Sequence, residues 1–226
     1  SITNNSIYQT STWGDLSVAS YGIYLSHTSN GGMTITGNYI GGQASLCGGS
    51  AMNITSIAMG NNFTVIKVSS YSSSSSINNN IIQNILFTQS TAGNSTSGIT
   101  CIDYSGSSTY TIGASGNGNL IGSITGTSSI TITGVVQANF TGISDSGTGL
   151  NTIAYNQFGA ITMTALSGRM NMIKSSNNQT NTIQYNTIGS TDLNNKQAPQ
   201  MPNSRELSCR DLAQIIALII RFSNFI

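Results

Sequence analysis

Charge is what this chain has least of. Of 226 residues only 6% are charged, seven Lys or Arg and six Asp or Glu, against roughly 25% in an ordinary soluble domain. A net charge of +1 with no basic stripe excludes strong electrostatic attraction to nucleic acid or to an anionic membrane surface. The same poverty narrows catalysis, because proton transfer and metal chemistry need several converging titratable groups. His27 is the one histidine and is read as a surface-loop residue; Trp13 is the one tryptophan. The three cysteines, Cys47, Cys101 and Cys209, are odd in number and scattered. They form no CxxC pair or disulfide framework and read as small buried hydrophobes, with no metal site. Gly31-Gly32, Gly41-Gly42 and Gly48-Gly49 lack the lysine or helix of a phosphate cradle, so no cofactor is expected. No helical periodicity precedes residue 205, and no apolar run is long enough to cross a bilayer as a helix.

Serine, threonine, asparagine, glycine and isoleucine fill the space that charge leaves. Abundant isoleucine and threonine argue against disorder, which is poor in β-branched residues. Five times an isoleucine is followed by asparagine at i+3 and a large apolar residue at i+5: Ile2-Asn5-Ile7, Ile35-Asn38-Ile40, Ile77-Asn80-Ile82, Ile153-Asn156-Phe158 and Ile183-Asn186-Ile188. Asn119-Leu120-Ile121 reads as a degenerate sixth copy, with Gly116 in the isoleucine place, while Ile112 finds Ser115 where its asparagine should stand. The asparagines Asn5, Asn38, Asn80, Asn119, Asn156 and Asn186 are 33, 42, 39, 37 and 30 residues apart, a solenoid period. In a straight strand i and i+5 face opposite sides, so both apolar residues point inward only across a bend. Asparagine tolerates the left-handed backbone that a sharp corner needs. Each motif therefore predicts strand, corner, strand.

Upstream of five motif isoleucines stands another strand head: Ile23, Ile66, Ile102, Ile143 and Ile173. A further strand candidate follows most corners, at Asn53–Ile57, Ile85–Phe87, Ile130–Thr133 and Ile161–Thr164. Three short strands per unit, punctuated by Gly, Ser and Asn, give a three-sided coil. This pattern resembles the right-handed parallel β-helix repeat proteins of the pectate-lyase-like superfamily, over residues 1 to about 190. The resemblance implies an all-β solenoid of about five stacked coils, with isoleucines inside and the corner asparagines in a ladder that satisfies their amides. It also implies a secreted or cell-surface bacterial repeat protein, although no signal peptide heads the chain. The opening at Ser1-Ile2-Thr3 falls inside a repeat, as in a piece of a longer solenoid.

Residues 1–196 are assigned to the β-helix and 197–226 to a linker with a short C-terminal helix or disordered tail. Both prolines, Pro199 and Pro202, and the one glutamate, Glu206, lie in the tail. Ser208-Cys209-Arg210-Asp211 is a capping-box start for a helix through Leu212, Ile215, Ile216, Leu218 and Ile219. That helix would cover an open end of the solenoid; foreign or frame-shifted sequence is the competing account.

Chemistry is sought on outward strand positions. The residues one place after each strand head form the column Tyr24, Lys67, Asp103, Ser144 and Lys174. These suit a shallow face for a polysaccharide or other cell-surface ligand, with Tyr24 as a stacking platform. A hydrolase needs two carboxylates across the scissile bond. Asp103 and Asp145 fall on adjacent coils but one place out of step, so Asp145 should face inward or lie at a bend. The expectation is a non-catalytic structural or binding module, in adhesion or carbohydrate binding. A β-helix polysaccharide lyase or glycoside hydrolase is the alternative. An ice-binding solenoid is the remote one, suggested by Thr34-x-Thr36, Thr131-x-Thr133 and Thr162-x-Thr164, whose paired hydroxyls share a strand face. Those pairs are expected on different sheets.

Overall fold

The computed structural model describes residues 1–11, 18–27, 32–57, 61–70, 74–90, 97–126, 129–135, 137–165, 168–176 and 181–189. The expectations for Trp13, Cys209 and the tail from 197 onward lie outside them. The chain winds as a right-handed parallel β-helix whose strands build four sheets, all paired in parallel. Sheet I holds Ile2–Thr3, Thr34–Thr36, Ser75–Asn78, Tyr110–Ile112, Asn151–Ala154 and Thr182–Gln184. Sheet II holds the short strands just past the corner: Ser6–Ile7, Tyr39–Ile40, Ile81–Ile82, Leu120–Gly122, Gln157–Gly159 and Thr187–Ile188. Sheet III stacks Met52–Ser56, Ile85–Gln89, Ile130–Gly134 and Ile161–Met163. Sheet IV stacks Ser20–His27, Asn62–Ser70, Ser97–Gly106, Ala138–Asp145 and Met170–Ser175. The asparagine corner thus divides one side of each coil between sheets I and II.

The register follows the repeat. Ile35, Ile77, Ile112, Ile153 and Ile183 pair in one row of sheet I, and Ile23, Ile66, Ile102, Ile143 and Ile173 in one row of sheet IV. Ile35, Ile77, Ile112 and Ile153 are fully buried, each contributing roughly 1.5–3 kcal/mol through lost water contact. Ile112 is therefore the head of the degenerate copy, and neither Gly116 nor Ser115 holds a motif place. Asn119 stands seven positions after Ile112, where the other asparagines stand three after theirs. The extra residues turn back through Gly113 and Gly116, both at positive φ, with an Asn117 N–H to Ala114 O bond of 2.9 Å. The insertion is ejected and Asn119 keeps its rung.

The six motif asparagines form a continuous ladder. The backbone N–H and Nδ2 of Asn38 both donate to Oδ1 of Asn80, at 3.1 and 2.9 Å. Asn80 donates likewise to Asn119 at 3.0 and 2.9 Å, and Asn119 to Asn156 at 3.2 and 2.8 Å. Asn5 opens the ladder on Asn38, and Asn156 passes it to Asn186. From Asn38 onward each Nδ2 also reaches back to an isoleucine carbonyl of the preceding coil, as Asn80 does to Ile35 O at 3.0 Å and Asn156 to Ile112 O at 2.9 Å. A primary amide has two donors and two acceptor lone pairs, and at the interior rungs Asn38, Asn80, Asn119 and Asn156 all are used. Asn38, Asn80, Asn119 and Asn156 are wholly buried.

The left-handed residue of the corner is not the ladder asparagine, as the sequence suggested, but the one before it: Asn4 (φ 56°), Gly37 (68°), Asn79 (53°), Tyr155 (60°) and Tyr185 (54°). The bend falls there because the asparagine amide must lie along the stack. Asn80→Ala should cost about 3–5 kcal/mol, since it strands buried groups on both neighbouring coils at about 1–3 kcal/mol each. Asn5→Ala, at the partly exposed first rung, should cost under about half of that. Urea denaturation of both variants checks the contrast; equal losses would show that the ladder carries no special share of stability.

Candidate functional site

Sheet IV positions the predicted column. Tyr24 pairs with Lys67, Lys67 with Asp103, Asp103 with Ser144 and Ser144 with Lys174. All five stand in one row on the outer face. Lys67 Nζ lies 3.1 Å from Asp103 Oδ2, with the two side chains 28% and 18% exposed. An ion pair this close to solvent contributes roughly 0–1 kcal/mol. Burial alone would lower the Lys67 pKa, but the hydrogen bond and charge of Asp103 outweigh it, so the ammonium is held above its ordinary value. Lys67 is thus kept protonated at neutral pH. Lys174 is exposed, beside Ser144 and two coils from Asp103.

One residue of this face escaped the sequence. Tyr21 and Tyr24 are three apart, so a straight strand would send them to opposite sides. Sheet IV is not straight. Val65 and Ile66 are both fully buried, as are Cys101 and Ile102, and the pairing register passes over Val65, Cys101 and Gly142. Each strand folds inward at this level and resumes outward one place later. Gly142 makes room there, because a Cβ would lie 2.6 Å from the Phe158 ring. The bend brings Tyr21 to the outer face, where its ring stacks on Tyr24 with centroids 4.9 Å apart and planes 23° from parallel. Lys67 Nζ sits 5.8 Å from the Tyr21 centroid, within cation–π range. Tyr21 and Tyr24 are 40% and 53% exposed. Adjacent apolar pairs such as Val65-Ile66 were the available signal for the bend. Thr64, Thr100 and Thr141 continue the Tyr21 row.

Asp145 points inward, as its offset register predicted, and is fully buried. It pairs with Tyr104 rather than Asp103. Its Oδ1 accepts from Asn151 Nδ2 at 2.9 Å and Gly147 N–H at 3.1 Å, and its Oδ2 from Asn181 Nδ2 at 2.6 Å and Ser175 Oγ at 3.4 Å. Four donors replace water around this carboxylate, which is structural and out of reach of any ligand. Asp15 and Asp192 lie outside the described residues, so Asp103 is the accessible carboxylate among those described. No group of three His, Cys, Asp or Glu converges among the described residues, and no helix there is long and apolar enough to cross a membrane.

His27 ends a strand of sheet IV instead of lying in a loop. Cys47 and Cys101 are free and buried; burial pushes the Cys47 thiol up to about 11 and the Cys101 thiol higher still. Of the threonine pairs, Thr34-x-Thr36 is in sheet I, while Thr131 and Thr162 pair in sheet III, so the three do not share a face. Comparison with family models, curated proteins and solved structures gives no match for this chain.

The two aspartates should separate in the laboratory. Asp145→Ala should lower stability by about 2–4 kcal/mol, because it abandons several buried donors, while Asp103→Ala should change it by under about 1 kcal/mol. Similar losses from the two would overturn the assignment of inside and outside. In a Cys209→Ser background, a thiol reagent at pH 8 should label neither Cys47 nor Cys101 until the protein is unfolded; labelling of the native protein would contradict their burial.

Proposed function

We propose that this chain is a non-catalytic carbohydrate-binding module of a secreted or cell-surface protein, built on a β-helix of the pectate-lyase-like type. The observation that carries this reading is the stacked, half-exposed pair Tyr21 and Tyr24 on the outer face of sheet IV. Tyrosine offers a rigid apolar face with a polar edge, suited to lying against a sugar ring. From that platform the row Lys67, Asp103, Ser144, Lys174 runs along the solenoid axis. At about 4.8 Å per coil the line from Tyr24 to Lys174 is roughly 19 Å long. It offers donors and acceptors to a linear chain of sugars lying along it. Adhesion through such contacts requires no chemistry.

The enzyme alternative is less well supported. A lyase base must accept a proton at working pH, and Lys67 is held protonated by Asp103. A glycosidase needs a second carboxylate across the bond, and Asp145 is sealed inside.

Affinity electrophoresis through gels containing polygalacturonate, hydroxyethyl cellulose or galactomannan tests the reading. Polygalacturonate, the polymer with carboxylates for Lys67 and Lys174, should retard the protein, and Tyr21→Ala/Tyr24→Ala should weaken that retardation at least ten-fold without changing thermal stability by more than a few degrees. Unchanged retardation, or polymer cleavage that disappears in Asp103→Ala, would replace this reading with another.

A further inference from the structure

A second aromatic pair stands elsewhere on the solenoid, where the backbone itself marks it out. Tyr155 and Tyr185 occupy the left-handed corner position on successive coils, with φ of 60° and 54°. The equivalent position on other coils is Asn4, Gly37 or Asn79, the residue types that adopt this conformation at least cost. A tyrosine gains nothing there in backbone energy. Strain of this kind persists where the surroundings hold it, and it concentrates at ligand-binding sites. The two rings are stacked, with centroids 5.0 Å apart and planes 22° from parallel. Tyr155 is half-buried, and Tyr185, on the last described coil, is 66% exposed.

The surroundings specify the chemistry of what could rest on this platform. Gln157 and Thr187 pair in sheet II two residues past the tyrosines, and Gln184 precedes Tyr185 directly. All three are exposed. Residues 151–159 and 181–189 contain no charged side chain. The available partners are therefore amides and hydroxyls, which donate and accept but do not select for charge. The adjoining ladder bonds from Asn156 to Asn186, at 2.9 and 3.0 Å, hold the two corners in fixed relation, so the platform is formed before any ligand arrives.

We infer that the Tyr155–Tyr185 corner is a separate binding site for uncharged glycan, whose sugar faces stack on the paired rings. The site does not depend on the sheet IV face: it uses other residues, on another side of the coil, and lacks the charges of that face.

The test exploits the strain. Tyr155→Asn/Tyr185→Asn places at both corners a residue already found at Asn4 and Asn79. It should raise Tm by roughly 2–4 °C and weaken retardation by hydroxyethyl cellulose or galactomannan at least ten-fold. Tyr21 and Tyr24 stay intact in this variant, so its loss of binding is attributable to the corner and leaves the sheet IV reading to its own test. A fall in Tm would show that the tyrosine stack is a structural element, and the inference would fail. Neutral-polymer binding unchanged in the variant, or absent in the unaltered protein, would overturn it equally.

Discussion

The register of this solenoid depends on a row of buried amides that bond one another from coil to coil. The ladder asparagines are enclosed by stacked coils, away from water, where an unpaired amide is expensive. Each is satisfied only if the next coil presents its own asparagine at the same place, as Asn38, Asn80, Asn119 and Asn156 do. Hydrophobic burial favours stacking but would tolerate a slip along the strand. The ladder does not, because a slip of one residue would separate donors from acceptors on every rung. The insertion after Ile112 shows the force of the constraint: the extra residues leave the coil and Asn119 stays in line.

A rigid register makes the outer surface a lattice of columns. The place after a strand head recurs on every coil, and Tyr24, Lys67, Asp103, Ser144 and Lys174 are brought into one line by pairing alone. The inward bend of sheet IV adds the Tyr21 row to the same face. The low charge of the chain follows from this geometry too. Like charges in one column would face each other across a single coil spacing, so Ser and Thr supply polarity without repulsion. The Lys67–Asp103 contact at 3.1 Å pairs opposite signs.

Much of the fold was legible because it repeats. The Ile-x-x-Asn-x-Ile spacing, the upstream heads Ile23 to Ile173 and the strands around Ile54, Phe87, Ile132 and Ile161 all fall on observed strands. The outer column was legible for the same reason, and the inward turn of Asp145 followed from its offset of one place. Three features were not. Ile112 was legible as a strand head and the glycine-rich stretch before Asn119 as an insertion, but a fixed spacing could not join the two into one motif. The left-handed corner residue was assigned to the asparagine because residue preference alone does not distinguish neighbours at a bend. Tyr21 was hidden because strict alternation fails where Val65 and Ile66 both turn inward.

The sequence by itself determined the period, the alternation of inward and outward residues and the identity of the ladder, since each is a local pattern repeated often enough to exclude chance. Only the tertiary structure decided which side chains become neighbours across coils. The stacking of Tyr21 on Tyr24, of Tyr155 on Tyr185, and the four donors around Asp145 depend on the path of the backbone between strands. That path is set by how adjacent coils pack, and packing is a property of the stack rather than of any one repeat.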